Sequence, residues 1–234
     1  MSPRDRIVRA AADLLAEGGR EAVSTRAVAA AAGVQAPTIY RQFGDMRGLL
    51  DEVASFGFST YLRDKTSRER AEDPVDDLRE GWDLHIEFGL ANPALYTLMY
   101  GNPRAGVTSA AALEAREILH GLVQRVAEAG RLRVSVERAA DMIHAAGMGV
   151  VLSLIAAEPE DRDLSLSEMT REAILAAATT DAPPEDTAGQ AGHDRVSSRA
   201  VALKAVLPEA SGALTPSESS LLSEWLDRLI HNSD

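Results

Sequence analysis

Residues 23–50 read VSTRAVAAAAGVQAPTIYRQFGDMRGLL, and the fold is decided here. Ser24 is placed to cap a short helix from Thr25 to Ala32, because its hydroxyl accepts from N–H groups of the first turn that lack helical partners. Val28 and Ala32 form the inner face of that helix. Gly33 and Val34 make a tight turn. Pro37 falls inside the first turn of a third short helix, where a missing N–H costs nothing. That helix ends near Phe43–Gly44, and Asp45 is placed to cap a long fourth helix running into the sixties. Upstream, Ile7, Ala11, Leu14 and Leu15 recur at helical spacing from about Arg4 to Glu17. Gly18 and Gly19 then end the first helix, as a left-handed cap requires.

Three such helices, with a glycine turn between the second and third, have the pattern of a helix-turn-helix. The third helix of that motif lies in the major groove of DNA, and the second crosses the backbone. The quoted stretch also resembles the DNA-binding domain of the tetracycline-repressor (TetR) family, over about Arg6 to Val53. The likeness lies in the capped helix with its Arg, the apolar pair, the Ala-Gly-Val turn, the Thr-aliphatic-Tyr run, the Phe and the Leu-rich fourth helix. The body resembles the family in its helical layout, including Asn92–Pro93–Ala94–Leu95–Tyr96. The resemblance implies a two-fold dimer, a palindromic operator and a small-molecule pocket in the body.

Carried over by position, the resemblance assigns Thr25 and Arg26 to phosphate contact, with Arg26 also at a guanine edge. Its planar fork suits guanine O6 and N7. Gln35, Ala36, Pro37 and Thr38 open the recognition helix. Gln35 is apt for a base edge, Ala36 for apolar contact, and Thr38 for a phosphate or the thymine region. Tyr40 is placed for a phosphate through its hydroxyl, with Arg41 and Gln42 following on the groove side. One position departs from the family: Met46 stands where a Lys is usual, and the neighbouring Arg47 is the candidate replacement. As alternatives, Arg26 and Arg41 are solvated surface charges and Tyr40 packs between helices. Val28, Val34, Ile39 and Phe43 are assigned to the core.

The remaining chain is punctuated as helices near 74–91, 93–101, 108–129, 136–157, 166–179 and 216–231. Asp73–Pro74 and Asn92–Pro93 are starts of the N-cap–proline kind. Ser165 with Glu168, and Thr215 with Glu218, have capping-box spacing. Thr180–Asp194 is rich in Pro, Gly and acids and reads as a flexible loop; a short helix follows around Val196–Leu207. The expected fold is all-α, with a helix-turn-helix domain over 1–48. A larger helical regulatory and dimerisation domain spans 49–234, with its loop at about 180–195.

Composition agrees with this division. The chain of 234 residues has a formal charge of −12, yet residues 1–50 hold seven Arg against five acids, a net +2, which leaves −14 for the rest. That asymmetry suits a nucleic-acid-facing head on an acidic body. The absence of Cys excludes disulfides, thiolate metal sites and Cys nucleophiles. No signal peptide is visible, and the most apolar run, Ala145 to Ala157, is too short to span a bilayer. A cytoplasmic protein without membrane contact or cofactor is therefore expected.

In the body, Trp82, His85, Phe88, Tyr96, Met99 and Tyr100, with His120 and Met142, are candidates to line a cavity for a small apolar or aromatic effector. Taken singly, each of them reads as core ahead of ligand contact. The helix at 136–157 is apolar almost all round, so it is buried or covered by a partner. Ile143, Gly147, Val150, Val151 and Leu154 on it, and Leu222, Trp225, Leu226 and Leu229 on the last helix, are the candidate homodimer interface. Gly147 and Gly149 would allow close helix approach.

Two rivals to the non-enzymatic, ligand-responsive repressor are open. Glu117 with His120, and Asp141 with His144, are acid-x-x-His pairs at the spacing that dinuclear carboxylate bundle enzymes use. A metal-dependent enzyme is the first rival, and a hydrogen-bonded packing pair is the bland reading. The second rival is an adaptor that keeps the fold without binding DNA.

Overall fold

The computed structural model describes residues 1–65, 70–101, 109–180, 192–210 and 213–231. Among these the architecture is all-α. In chain order the helices are α1 (Pro3–Ala22), α2 (Thr25–Ala32), α3 (Ala36–Phe43), α4 (Met46–Lys65), α5 (Pro74–Ala91) and α6 (Pro93–Tyr100). They continue as α7 (Ala110–Glu128), α8 (Val136–Ala156), α9 (Ser165–Ala178), α10 (Gly192–Val206) and α11 (Pro216–His231). The one pairing of strand type among the described residues is an isolated bridge between Leu132 and Thr179.

Local chemistry accounts for most boundaries. Ser24 accepts the Ala27 N–H, and Gly33 closes α2 at a φ of 63° that any larger residue would resist. Asp45 accepts the Gly48 N–H at 2.8 Å to start α4. The Thr215–Glu218 capping box is formed in both directions, at 2.8 and 3.3 Å. In α1 the backbone leaves helical geometry at Gly18 and Gly19 and resumes for one turn to Ala22. The helix also begins earlier than expected, on a Ser2–Asp5 capping box.

Two starts differ from expectation. Ser165 does not form its box with Glu168; Asp163 accepts both the Ser165 N–H and hydroxyl, because it sits nearer the turn. Asn92 makes no side-chain cap on α6, and its amide instead donates to the Phe88 carbonyl, closing α5. The expected loop at 180–195 lies mostly outside the described residues.

The chain divides into two compact units. One comprises Met1–Glu69, His85–Ala115 and Val151–Arg162; the other comprises Arg70–Leu84, Arg116–Val150 and Asp163–Asp234. In the first, α1 packs on α2, α4 and α6, and α3 packs on α2 and α4. Ile7, Leu15, Val28, Ile39, Leu49 and Val53 form the shared core. Each such side chain contributes about 1.5–3 kcal/mol on burial, which stabilises two-turn helices that would not persist alone.

In the second unit, Trp82 donates to Ser167 Oγ at 2.9 Å, and Arg79 joins Glu172, which also pairs with Arg171. Asp77 is buried against Arg125 and accepts the Ala71 N–H at 2.7 Å. α10 and α11 pack together and share the Lys204–Asp227 ion pair.

α8 bears on two expectations. Its length of 21 residues and mean hydropathy of 1.6 make it long and apolar enough to cross a membrane by composition alone, a test that a buried core helix also passes. Ile143, Gly147, Val150, Val151 and Leu154 are buried within the chain, so they are core rather than an open dimer face. The side of α8 left exposed carries Asp141, Ala145, Gly149 and Ser153. Gly149 meets open space, so it mediates no close approach within the chain.

Candidate nucleic-acid interface

The interface is built by the geometry of two short helices. Thr25 is the first residue of α2, and Tyr40 lies on the fifth position of α3. Their hydroxyls meet at 3.2 Å across the turn. Tyr40 is 49% exposed, so its ring does not serve as core between helices. Ser24 already satisfies the Ala27 N–H, which leaves the N–H groups of Thr25 and Arg26 at the positive end of α2. Two hydroxyls and a helix N-terminus together form a cradle suited to one phosphate.

The rest of the set lies along the same pair of helices. Gln35 occupies the N-cap position of α3 but makes no side-chain capping bond, so its amide is available for a base edge. Pro37 and Gln42 are exposed, while Ala36 and Thr38 are half-buried. Arg26, Arg41 and Arg47 are exposed and make no hydrogen bond or ion pair with described residues. Val28 and Ile39 are fully buried, and Val34 and Phe43 pack partly buried against the same core. Met46 is also packed there. The residue that replaces the family's usual Lys therefore supports the head from inside, while Arg47 beside it points outward.

Sequence reasoning missed three features of this head. Arg4 pairs with Glu52 at 2.8 Å, donates to the Gln42 carbonyl at 3.0 Å, and lies over the Phe43 ring. Arg6 donates to the Ala32 carbonyl at 3.4 Å. Gly48 has no room for a Cβ, which would overlap the Phe43 carbonyl oxygen. None of these leaves a signal in periodicity, because each depends on how separate helices meet.

The candidate effector residues are divided between the two units. In the first unit, Tyr96 shares a 2.9 Å hydrogen bond with His85 Nε2, and its ring packs against Phe88 and Tyr100. Tyr96 is wholly buried, and burial raises its hydroxyl pKa, with a smaller push from Tyr100. Burial likewise pushes the Tyr100 hydroxyl up to about 12. Met99 is half-buried. Trp82 and the half-buried Met142 belong to the second unit. His120 is exposed on the outer face of α7 and is no cavity residue, since its neighbours Glu117, Ile118 and Gly121 face solvent as well. A half-open groove of about 400 Å³ in the first unit is lined by Gly19, Arg20, Pro93, Ala94, Thr97, Leu98, Gly101 and Ile155, none of which was anticipated.

The four-residue metal set does not assemble. Among the described residues no three His, Asp or Glu side chains come together as metal ligands. Asp141 is exposed and takes a 2.6 Å hydrogen bond from Arg116. Burial, then the Arg116 charge, hold the His144 imidazole below its usual pKa, against a weaker opposing pull from Asp141.

Residues 7–53 match the family described as bacterial regulatory proteins, tetR family. None of the curated proteins matches the chain in sequence. Among solved structures, the fold is similar to that of a protein of unknown function from Rhodococcus sp. RHA1, with a TM-score of 0.62 at 21% identity, covering 77% of this chain and 97% of the other. A TetR transcriptional regulator from Agrobacterium tumefaciens gives 0.54 at 23% identity, over 77% and 97%. A TetR variant from Acinetobacter baumannii AYE, solved with minocycline, gives 0.55 at 20% identity, over 74% and 94%. At these identities the likeness is one of fold.

Proposed function

We propose that this chain, whose residues 7–53 match the tetR family and whose fold is similar to that of TetR regulators, is a ligand-responsive DNA-binding transcription regulator. More finely, it is a repressor that binds a palindromic operator as a homodimer in the cytoplasm, with no catalytic step. The observation that carries the reading is the Thr25–Tyr40 hydroxyl pair at the N-terminus of α2. A core-only three-helix unit has no need to hold such a hydroxyl pair next in sequence to Arg26 and Arg41, which, like Arg47, are exposed and without a partner among described residues. Thr25, Arg26, Tyr40 and Arg47 hold phosphates, with Arg26 also at a guanine edge; Gln35, Ala36, Pro37, Thr38, Arg41 and Gln42 lie on the groove side, where the Arg41 charge also offsets phosphates.

The second copy is proposed to cover α11, where Trp225 and Leu229 stand exposed beside the half-buried Leu222. The effector is a small apolar or aromatic molecule taken up by the body, with the aromatic group around His85 and Tyr96 as its nearest support. Effector and DNA would bind with opposed preference, and a coupling of about 1–3 kcal/mol is typical of such pairs.

Binding-site selection from a random duplex pool tests the reading. Recovery of a two-fold symmetric sequence is expected, with half-sites about one helical turn apart. No enrichment at low salt would leave the adaptor in its place.

A further inference from the structure

Two arginines in the first turn of α1 cap the far ends of both reading helices. Arg4 Nη1 donates to the Gln42 carbonyl, Nη2 pairs with Glu52 on α4, and the guanidinium sits 4.6 Å from the Phe43 ring centroid. Arg6 Nε donates to the Ala32 carbonyl. Gln42 and Ala32 lie in the last turns of α3 and α2, where carbonyls lack intrahelical donors and the helix end is negative. Positions two apart on a helix differ by about 200°, so the two side chains leave α1 on opposite sides. Each reaches a different helix.

We propose that Arg4 and Arg6 are positioning residues for base reading: they set the angle of α3 against α2 and do not meet the duplex themselves. The proposal rests on the DNA-binding reading above. α3 has eight residues and is therefore about 12 Å long. A tilt of about 5° about its capped end moves the Gln35 end by about 1 Å. Hydrogen bonds to base edges work within a few tenths of an ångström of about 2.9 Å and would be lost at that displacement. Charge attraction between the exposed arginines and phosphates varies slowly with distance and would survive. Loss of the caps should therefore fall on discrimination between sequences rather than on non-specific binding.

The test uses the full chain, a duplex selected by the wild type, and a scrambled duplex, each over a range of salt. Arg4→Met should lose roughly tenfold in affinity for the selected duplex, the size of a hydrogen bond to a charged group, and Arg6→Met, whose bond is longer at 3.4 Å, should lose less. Affinity for the scrambled duplex should stay within about twofold, with the salt slope unchanged. Equal loss on both duplexes, with a slope smaller by about 0.9 for each lost phosphate contact, would show direct DNA contact and overturn the proposal. So would wild-type discrimination in both variants.

Circular dichroism checks that each variant folds. Where Arg4→Met does not, Arg4→Lys and Glu52→Gln carry the test. The first keeps a donor without the fork, and the second removes the charge that anchors one arm of the fork, so both should discriminate less well than wild type. Full wild-type discrimination in these two would overturn the positioning role. A wild-type chain that selects no sequence would instead overturn the DNA-binding reading, and this proposal with it.

Discussion

Replacing Arg47 by Ala should change how DNA binding responds to salt, whereas replacing Tyr40 by Phe should not. Four exposed arginines of the head have no partner among described residues, Arg9, Arg26, Arg41 and Arg47, and the last three lie on α2, α3 and α4. Arg4, Arg6 and Arg20 are already held by protein acceptors. Counting only the three on α2, α3 and α4, two heads in a dimer offer six such guanidiniums. If all six displace counterions, log Kd against log salt has a slope of about 5.4, from about 0.9 per phosphate. A rise from about 50 to 200 mM salt would then weaken binding about 10³-fold. Arg47→Ala removes two of the six and lowers the slope to about 3.6. The Tyr40 hydroxyl carries no charge, so Tyr40→Phe keeps the slope but loses a hydrogen bond to a charged group, about 1.5–3 kcal/mol per head. Fluorescence anisotropy with a labelled duplex at five or more salt concentrations measures both quantities. An unchanged slope in Arg47→Ala, or wild-type affinity in Tyr40→Phe, would refute the assignment of these side chains to phosphates.

Gly48→Ala should lower head stability by about 1–3 kcal/mol, because the added methyl meets the Phe43 carbonyl, which is backbone and cannot rotate away. That outweighs the usual helical gain of about 0.5–1 kcal/mol from Gly to Ala, and an unchanged or raised Tm would show slack at the site. Asp77→Ala should cost about 2–3 kcal/mol in urea unfolding, since it strips the partner from largely buried Arg125; a loss below about 0.5 would mean that water already serves Arg125. His144 has a folded pKa below its ordinary 6.5, so its contribution to stability is full above that pH and is lost as pH falls through the folded value. His144→Gln should therefore flatten the decline in the urea midpoint between about pH 7 and 5, and an unaltered decline would assign it to other groups. Trp225→Glu should yield a folded monomer by sedimentation, because Trp225 is 51% exposed and the change leaves the chain's own core intact. A dimer that persists would place the subunit contact elsewhere.

The amino-acid order alone determined the helices and the reading head. Gly33, Pro37, Ser24 and Asp45 act on neighbours within four residues, so their effect is written locally and could be read without coordinates. Apolar recurrence at helical spacing did the same for the longer helices. Where two near neighbours compete for one helix end, local reading failed, as with Asp163 displacing Glu168 at Ser165. Tertiary structure decided which side of each helix is covered. α8 is apolar nearly all round, so its composition could not say whether Ile143 or Ala145 faces out; packing buries the first and leaves the second exposed. It also decided the partners of Arg4, Arg6 and Gly48. The arginine contacts span 26 to 48 residues of chain, and the space at Gly48 depends on how α3 meets α4. Contacts of that kind depend on where whole helices come to rest, which no local pattern encodes.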